Sequence, residues 1–288
     1  MKTILFSSLS VAGVILFLSF VPTEKRLTID EAVKAKQVKA NVTSKGGHSG
    51  SCVKLEVTNN LKEKVTVVIS PGTVFKPNDE GDQDIFVVKE QVIVLNPSQK
   101  KVLDASGFCC QLHDSSPAQG SGFTVGVTPN EKLRKLAEHI NQNSYPEDSY
   151  QQAVWCVSDN DPVTNLYSDD PSAVKPLREF ICKLTGQKDD WYTTKQKREV
   201  TPERVIVSEP VKVSGQLLYE STQGDQITAE LWGPDEKKMF DLGKPVPAQR
   251  SGSMTYGFNL TVQGFPKGKY KVFIYGNKKE LLKQEFEI

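Results

Sequence analysis

This chain is poor in the residues that most often carry chemistry. Its 288 residues include three histidines, three tryptophans and three methionines. Cys110 and His113 have the spacing of a zinc-binding pair, but no second Cys/His pair follows, and His48 and His139 each stand alone. A zinc site needs about four ligands, so none is written here, and no metal or cofactor is expected. Charge of one sign is also missing, with 36 Lys+Arg against 35 Asp+Glu. DNA, RNA and anionic membrane surfaces all demand a clustered basic excess, so nucleic acid is set aside. The glycine runs Gly46-Gly47 and Gly120-Ser121-Gly122 lack a strand before and a helix after in the phosphate-loop pattern, so nucleotide binding is not implied. After residue 21 no second apolar stretch is long enough to span a bilayer, so the body reads as soluble.

What is present begins with Lys2 and the apolar run Ile4 to Val21, closed by the polar Thr23-Glu24-Lys25-Arg26. Residues 1–26 read as a secretory signal peptide or an uncleaved N-terminal anchor. No cysteine sits just after the run, so a lipid attachment is not expected. Export to the periplasm, the cell surface or the medium follows from this segment. It places the five cysteines, Cys52, Cys109, Cys110, Cys156 and Cys182, where disulfides persist. Five is odd, so at least one is not paired with another in the chain.

The length predicts two domains. In residues 27–187, Thr28 with Glu31 three residues on marks a short helix to Lys36, and 37–51 reads as a Gly-rich loop. Val53, Leu55 and Val57, then Val65, Val67 and Ile69, alternate about the Asn59-Asn60 turn and predict a hairpin. Further short strands run to Leu103, around an acidic turn whose Asp79, Glu80 and Asp82 lack the ligand order of a calcium loop and read as a solvated tip. Helical spacing then takes over: 131–141, about 148–158, and 172–184 with Gly186 as its C-cap. Residues 188–203 mix charge without apolar periodicity and read as a linker. Seven short strands over 204–288 predict an immunoglobulin-like sandwich with Tyr256, Phe258, Leu260 and Val262 in its core. The fold class is therefore mainly β with a helical layer (α+β): a sandwich or barrel with helices, then an immunoglobulin-like sandwich.

The densest chemistry lies in two short runs, Gly107 to Pro117 and Tyr150 to Cys156. Adjacent residues of a strand face opposite ways, so Cys109 and Cys110 should have different fates. In an exported chain the plain expectation is a structural disulfide from one of them to Cys52 or Cys156. A Cys110–His113 nucleophile and base, with Asp114 behind, stays open as a Cys-His hydrolase, because spacing alone neither supports nor excludes it.

Phe108-Cys109-Cys110 followed by Gln151-Gln152-Ala153-Val154-Trp155 resembles the paired signature of bacterial thioester domains of surface adhesins. The resemblance covers only these two motifs. It implies that Gln151 is the acyl residue and Cys109 or Cys110 the sulfur of an internal thioester that an amine opens, a covalent anchor without turnover. Tyr150 stands where that family usually has Thr, and Cys156 follows Trp155 directly. Gly268-Lys269-Tyr270-Lys271-Val272 with a terminal strand is similar to the C-terminal sorting sandwiches of type IX secretion. Together these readings predict an exported, non-enzymatic binding protein of the cell envelope, its partner a protein or glycan at the cell surface. The thioester adhesin is the alternative, and a membrane contact arises only through an uncleaved leader.

Overall fold

The computed structural model describes residues 25–288. The leader reading lies outside these residues except for Lys25 and Arg26, which already belong to the first strand. The chain is mostly β, 47% strand and 18% helix, as expected. Among the described residues no helix is long and apolar enough to cross a membrane.

The N-terminal unit is built from two sheets and a helical layer. Strands β1 (Lys25–Thr28), β2 (Val38–Ser44), β3 (Ser49–Asn59), β4 (Val65–Ile69) and β5 (Thr73–Pro77) come first. They are followed by β6 (Ile85–Phe86), β7 (Gln91–Leu95), β8 (Lys100–Cys109) and β9 (Phe123–Val127). The larger sheet has the order β2-β3-β8-β6-β5-β9, and a bridge from Thr43 to Gly122 brings its two edges together, close to a barrel. The smaller sheet is β1-β4-β7.

The expected hairpin of residues 53–69 is corrected by this topology: β3 pairs with β2 and β8, while β4 pairs with β1 and β7. The two strands face each other across the core instead, with Val53, Leu55 and Val57 packed in one cluster with Val65, Val67 and Ile69. The Asn59 carboxamide holds the crossover, donating to Glu63 O at 2.8 Å and Asn96 O at 3.0 Å. Alternation specifies which face is apolar and leaves the pairing partner open, so a hairpin and two strands of facing sheets carry the same pattern. Residues 37–51 are a loop only at 45–48, between β2 and β3. Val38 and Val42 alternate with exposed Lys39 and Asn41 and form β2.

The helices fall where the periodicity placed them. Helix α1 is Ile29–Lys34, and its Thr28 hydroxyl donates to the Glu31 carboxylate at 2.8 Å, with no side-chain cap to the backbone. Helix α2, Glu131–Gln142, is capped by Asn130, whose side chain accepts from the Lys132 and Leu133 amides. Helix α3 is Tyr150–Ser158, and α4 is Pro171–Thr185, ended by Gly186 at φ 85°. All three bury apolar faces against the outer face of the larger sheet, where Val74, Phe86, Val88, Phe108 and Cys110 meet Leu136, Val154 and Leu177. The opposite face carries Phe75, Ile85, Val87 and Cys109 into the core between the sheets. Cys109 and Cys110 thus part as a strand's period of two requires.

The predicted linker is also corrected. Residues Tyr192–Val200 form β10, paired antiparallel with β11 (Ile206–Ser221), and Tyr192 is buried in the second core. Its mixed charges sit on a strand with one wet face, which composition alone reads as linker. The C-terminal unit continues with β12 (Gln226–Trp232), β13 (Lys238–Asp241), β14 (Val246–Pro247), β15 (Gly252–Thr261), β16 (Lys269–Gly276) and β17 (Lys279–Glu287). Sheet β10-β11-β15 and sheet β13-β12-β16-β17, with β14 beside β12, form the immunoglobulin-like sandwich. Phe258, Leu260 and Val262 are buried between them, and Tyr256 is half-buried. The two units meet through Arg178 of α4, 5% exposed, which pairs with Asp189 and donates to the carbonyls of Asp190 and Tyr192.

Gly107 on β8 tests how tightly this frame is closed. A Cβ there would lie 2.4 Å from Ile85 Cγ2 on β6. G107A should cost about 1–3 kcal/mol through overpacking, read as a lower urea midpoint with an unchanged slope; wild-type stability would mean that β6 yields freely.

Candidate functional site

The end of β8 and the start of α3 are brought together. Gln151, 4% exposed, lies against Cys109, and the contact is reciprocal. The Cys109 amide donates to Gln151 Oε1 at 3.1 Å, and Gln151 Nε2 donates to the Cys109 carbonyl at 2.8 Å. The same Cys109 amide also donates to the His48 carbonyl at 2.9 Å. A carboxamide presents one donor and one acceptor like a peptide unit, so Gln151 extends the ladder where strand partners run short. Phe108 meets the Tyr150 ring edge-on at 5.7 Å, fixing the other side of the same junction. A cleft of about 340 Å³ opens beside Gln151, walled by Ser49, Gly50 and Phe108, with the exposed carboxylates of Glu147 and Asp148 at its rim.

All five cysteines carry free thiols, so the expected disulfide from Cys109 or Cys110 to Cys52 or Cys156 is not formed. The strand period separates Cys52 and Cys109, in the core between the sheets, from Cys110 and Cys156, in the core under the helices, which rules out the cross pairings. Within each core Cys52 and Cys156 turn their sulfur to a backbone carbonyl instead. Cys52 Sγ is held by the Gly107 carbonyl at 3.5 Å, and Cys156 Sγ by the Pro162 carbonyl at 3.7 Å. Cys182 lies half-buried on α4. Burial pushes every one of these thiols up: Cys52 to about 11, Cys109 well above its ordinary value with Cys52 and Cys110 adding to the effect. Cys110 rises too, with Asp84 and Asp159 adding, and Cys156 with Asp161 adding. Each is a protonated thiol at neutral pH.

Cys110 and His113 are not brought together: Cys110 is buried at 6% exposure while His113 and Asp114 are exposed on the turn beyond it. Among the described residues no group of three or more His, Cys, Asp or Glu side chains could hold a metal ion. The acidic tip is corrected at one position, since Asp82 is buried and paired with Arg204 at 2.8 Å.

The sequence reading missed the other face of α3. Trp155, 1% exposed, is contacted by two side chains: His48 stacks on it at 5.9 Å between centroids, and the Arg198 guanidinium sits 4.9 Å from its centroid. Arg198 also donates to Gln152 Oε1, and Gln152 Nε2 in turn donates to Asp161. Asn165 donates to the same Asp161 at 3.1 Å, and Gln196 donates to Asn165 at 2.9 Å. This chain of polar contacts joins α3 to β10 and borders a cleft of about 590 Å³ between the two units. Arg198 was hidden in the charged run read as linker. Its place, six residues after buried Tyr192 on the same strand face, is the signal that could have found it.

No protein-family model matches the chain, and no curated protein matches it.

Burial, aided by the Arg198 charge, holds the His48 imidazole below its ordinary 6.5. A histidine depressed in the folded state contributes stability that is full above the unfolded value and is lost as pH falls through 6.5 toward the folded one. The stability of the wild type minus that of H48Q should therefore fall over that window and flatten below it. Parallel pH–stability curves for the two proteins would remove this role from His48.

Proposed function

We propose that this is an exported, non-enzymatic binding protein of the cell envelope whose N-terminal unit captures an amine covalently through Gln151. The observation that carries the reading is the reciprocal pair of hydrogen bonds between Cys109 and Gln151, residues 42 apart in sequence. These are the positions at which the chain resembles the thioester signature. The free state of Cys109 supports the same reading, since a disulfide would have consumed its sulfur.

The chemistry balances simply. Cys109 Sγ adds to the Gln151 carboxamide carbon, the C–N bond breaks, and ammonia leaves with the thiol proton, giving a thioester. An incoming primary amine then attacks the same carbon, the C–S bond breaks, and the amine's proton returns to sulfur as the thiol. Burial that disfavours a free thiolate makes this final protonation downhill, so an opened bond does not re-form readily. Cys109 is preferred over Cys110 because it directly follows the aromatic Phe108 and its backbone holds the carboxamide. Its side chain packs in the core between the sheets, so the reaction requires the thiol to rotate toward Gln151. The Glu147 and Asp148 rim favours a protonated amine at the mouth of the cleft. With one bond formed per chain, this is an anchor and not a turnover catalyst.

Intact mass of the purified, non-reduced protein decides the matter. The thioester lowers the mass by about 17 Da, the loss of one ammonia, and methylamine restores a covalent adduct that maps to Gln151. C109S and Q151A should both show the full mass and no adduct, and C110S should behave as the wild type. A wild-type protein of unreduced mass, inert to methylamine, would leave Gln151 as a backbone staple only.

A further inference from the structure

The large cleft between the two units has a chemistry of its own. One wall is a strand face: Tyr192, Thr194, Gln196 and Arg198 all line it at two-residue spacing, a run of about 20 Å at the rise of a β-strand. Its inner end is formed by Arg198 and Trp155. There two buried N–H donors, Arg198 Nε and Trp155 Nε1, have no acceptor in the protein. An unmade buried hydrogen bond costs about 1–3 kcal/mol, and two from stacked side chains in one place call for a shared acceptor. The nearest carboxylate, Asp161, is already committed to Gln152 and Asn165.

We infer that this end of the cleft is a binding site for a carboxylate, with the Arg198 guanidinium and the Trp155 indole N–H as its donors. A carboxylate offers two oxygens to a guanidinium edge and further lone pairs to a neighbouring N–H. Both orphan donors are screened from solvent, so the carboxylate takes the place that Gln152 Oε1 holds on Arg198. Arg198 Nε and Trp155 Nε1 then gain their acceptor in the same movement. The remainder of the ligand lies along β10, where Gln196, Thr194 and Ser208 line its path. Desolvation of Arg198 adds to the case, because a buried cation whose charged form is disfavoured gains most from an anion at contact. Nothing in this site depends on the Cys109–Gln151 bond.

The Trp155 indole proton reports directly on the proposed contact. The chain has three tryptophans, so ¹⁵N–¹H spectra show three indole signals, and W155F identifies one of them. Titration of the full chain with sodium propionate at constant ionic strength should shift that signal, while propionamide, equal in shape and neutral, should leave it in place. R198K should weaken propionate binding by about tenfold, a cost of about 1.4 kcal/mol. Two further arms find the bearer: Gly-Ala-Ala with a free or an amidated C-terminus, and glucuronate against glucose. A shift with the free peptide or with glucuronate supports the site and names its ligand class. An indole signal unmoved by propionate, or moved equally by propionamide, overturns the inference; this comparison is made in the wild type and survives any failure of a variant to fold.

Discussion

The N-terminal unit depends on how the last residues of β8 satisfy their backbone in a dry place. Cys109 is fully buried between two cores, where an unpaired amide or carbonyl would cost more than a typical hydrogen bond returns. His48 and Gln151 supply the missing partners, one from a backbone carbonyl and one from a side chain on α3. That requirement fixes the seating of α3, and α3 in turn orders the rest. Its apolar residues close the helical core, Trp155 stacks on the Gly-rich segment at His48, and Gln152 reaches the second unit. A side-chain carboxamide clasped in this way is a good staple for the end of a strand.

The joint between the units is polar where most cores are apolar. Arg178, Arg198 and Arg204 each cross it, toward Asp189, Gln152 and Asp82 respectively. Removing Asp189, Gln152 or Arg204 strands the buried Arg178, the desolvated Arg198 or the buried Asp82, so the units are held in register more by the penalty of separation than by the gain of contact. A polar joint also keeps open capacity along its walls, which a packed hydrocarbon interface lacks. The large cleft and the candidate amine-capture site therefore share a helix while drawing on different residues of it.

Much of the fold was legible beforehand. Helices α2 and α4 followed from Leu133, Leu136 and Ile140 and from Gly186, because a 3.6-residue period and a left-handed C-cap are local properties. The opposed faces of Cys109 and Cys110 followed from strand geometry. The expected 53–69 hairpin failed because alternation in Val53–Val57 and Val65–Ile69 says only which side is dry. The linker failed because β10 pairs along its whole length with a strand that follows it, a contact composition does not encode. The disulfide expectation rested on compartment and count, and both are silent about where each sulfur points.

By itself, the sequence determined the class of each element, the positions of the apolar faces and the two motifs worth watching, since these depend on residue type and short periods. Only the tertiary structure decided that Gln151 meets Cys109, that the thiols fall into two separate cores, and that Arg198 stacks on Trp155 from the other unit. Each of those is a long-range pairing, selected by which arrangement leaves the fewest buried polar groups unmatched, and that sum runs over the whole chain at once.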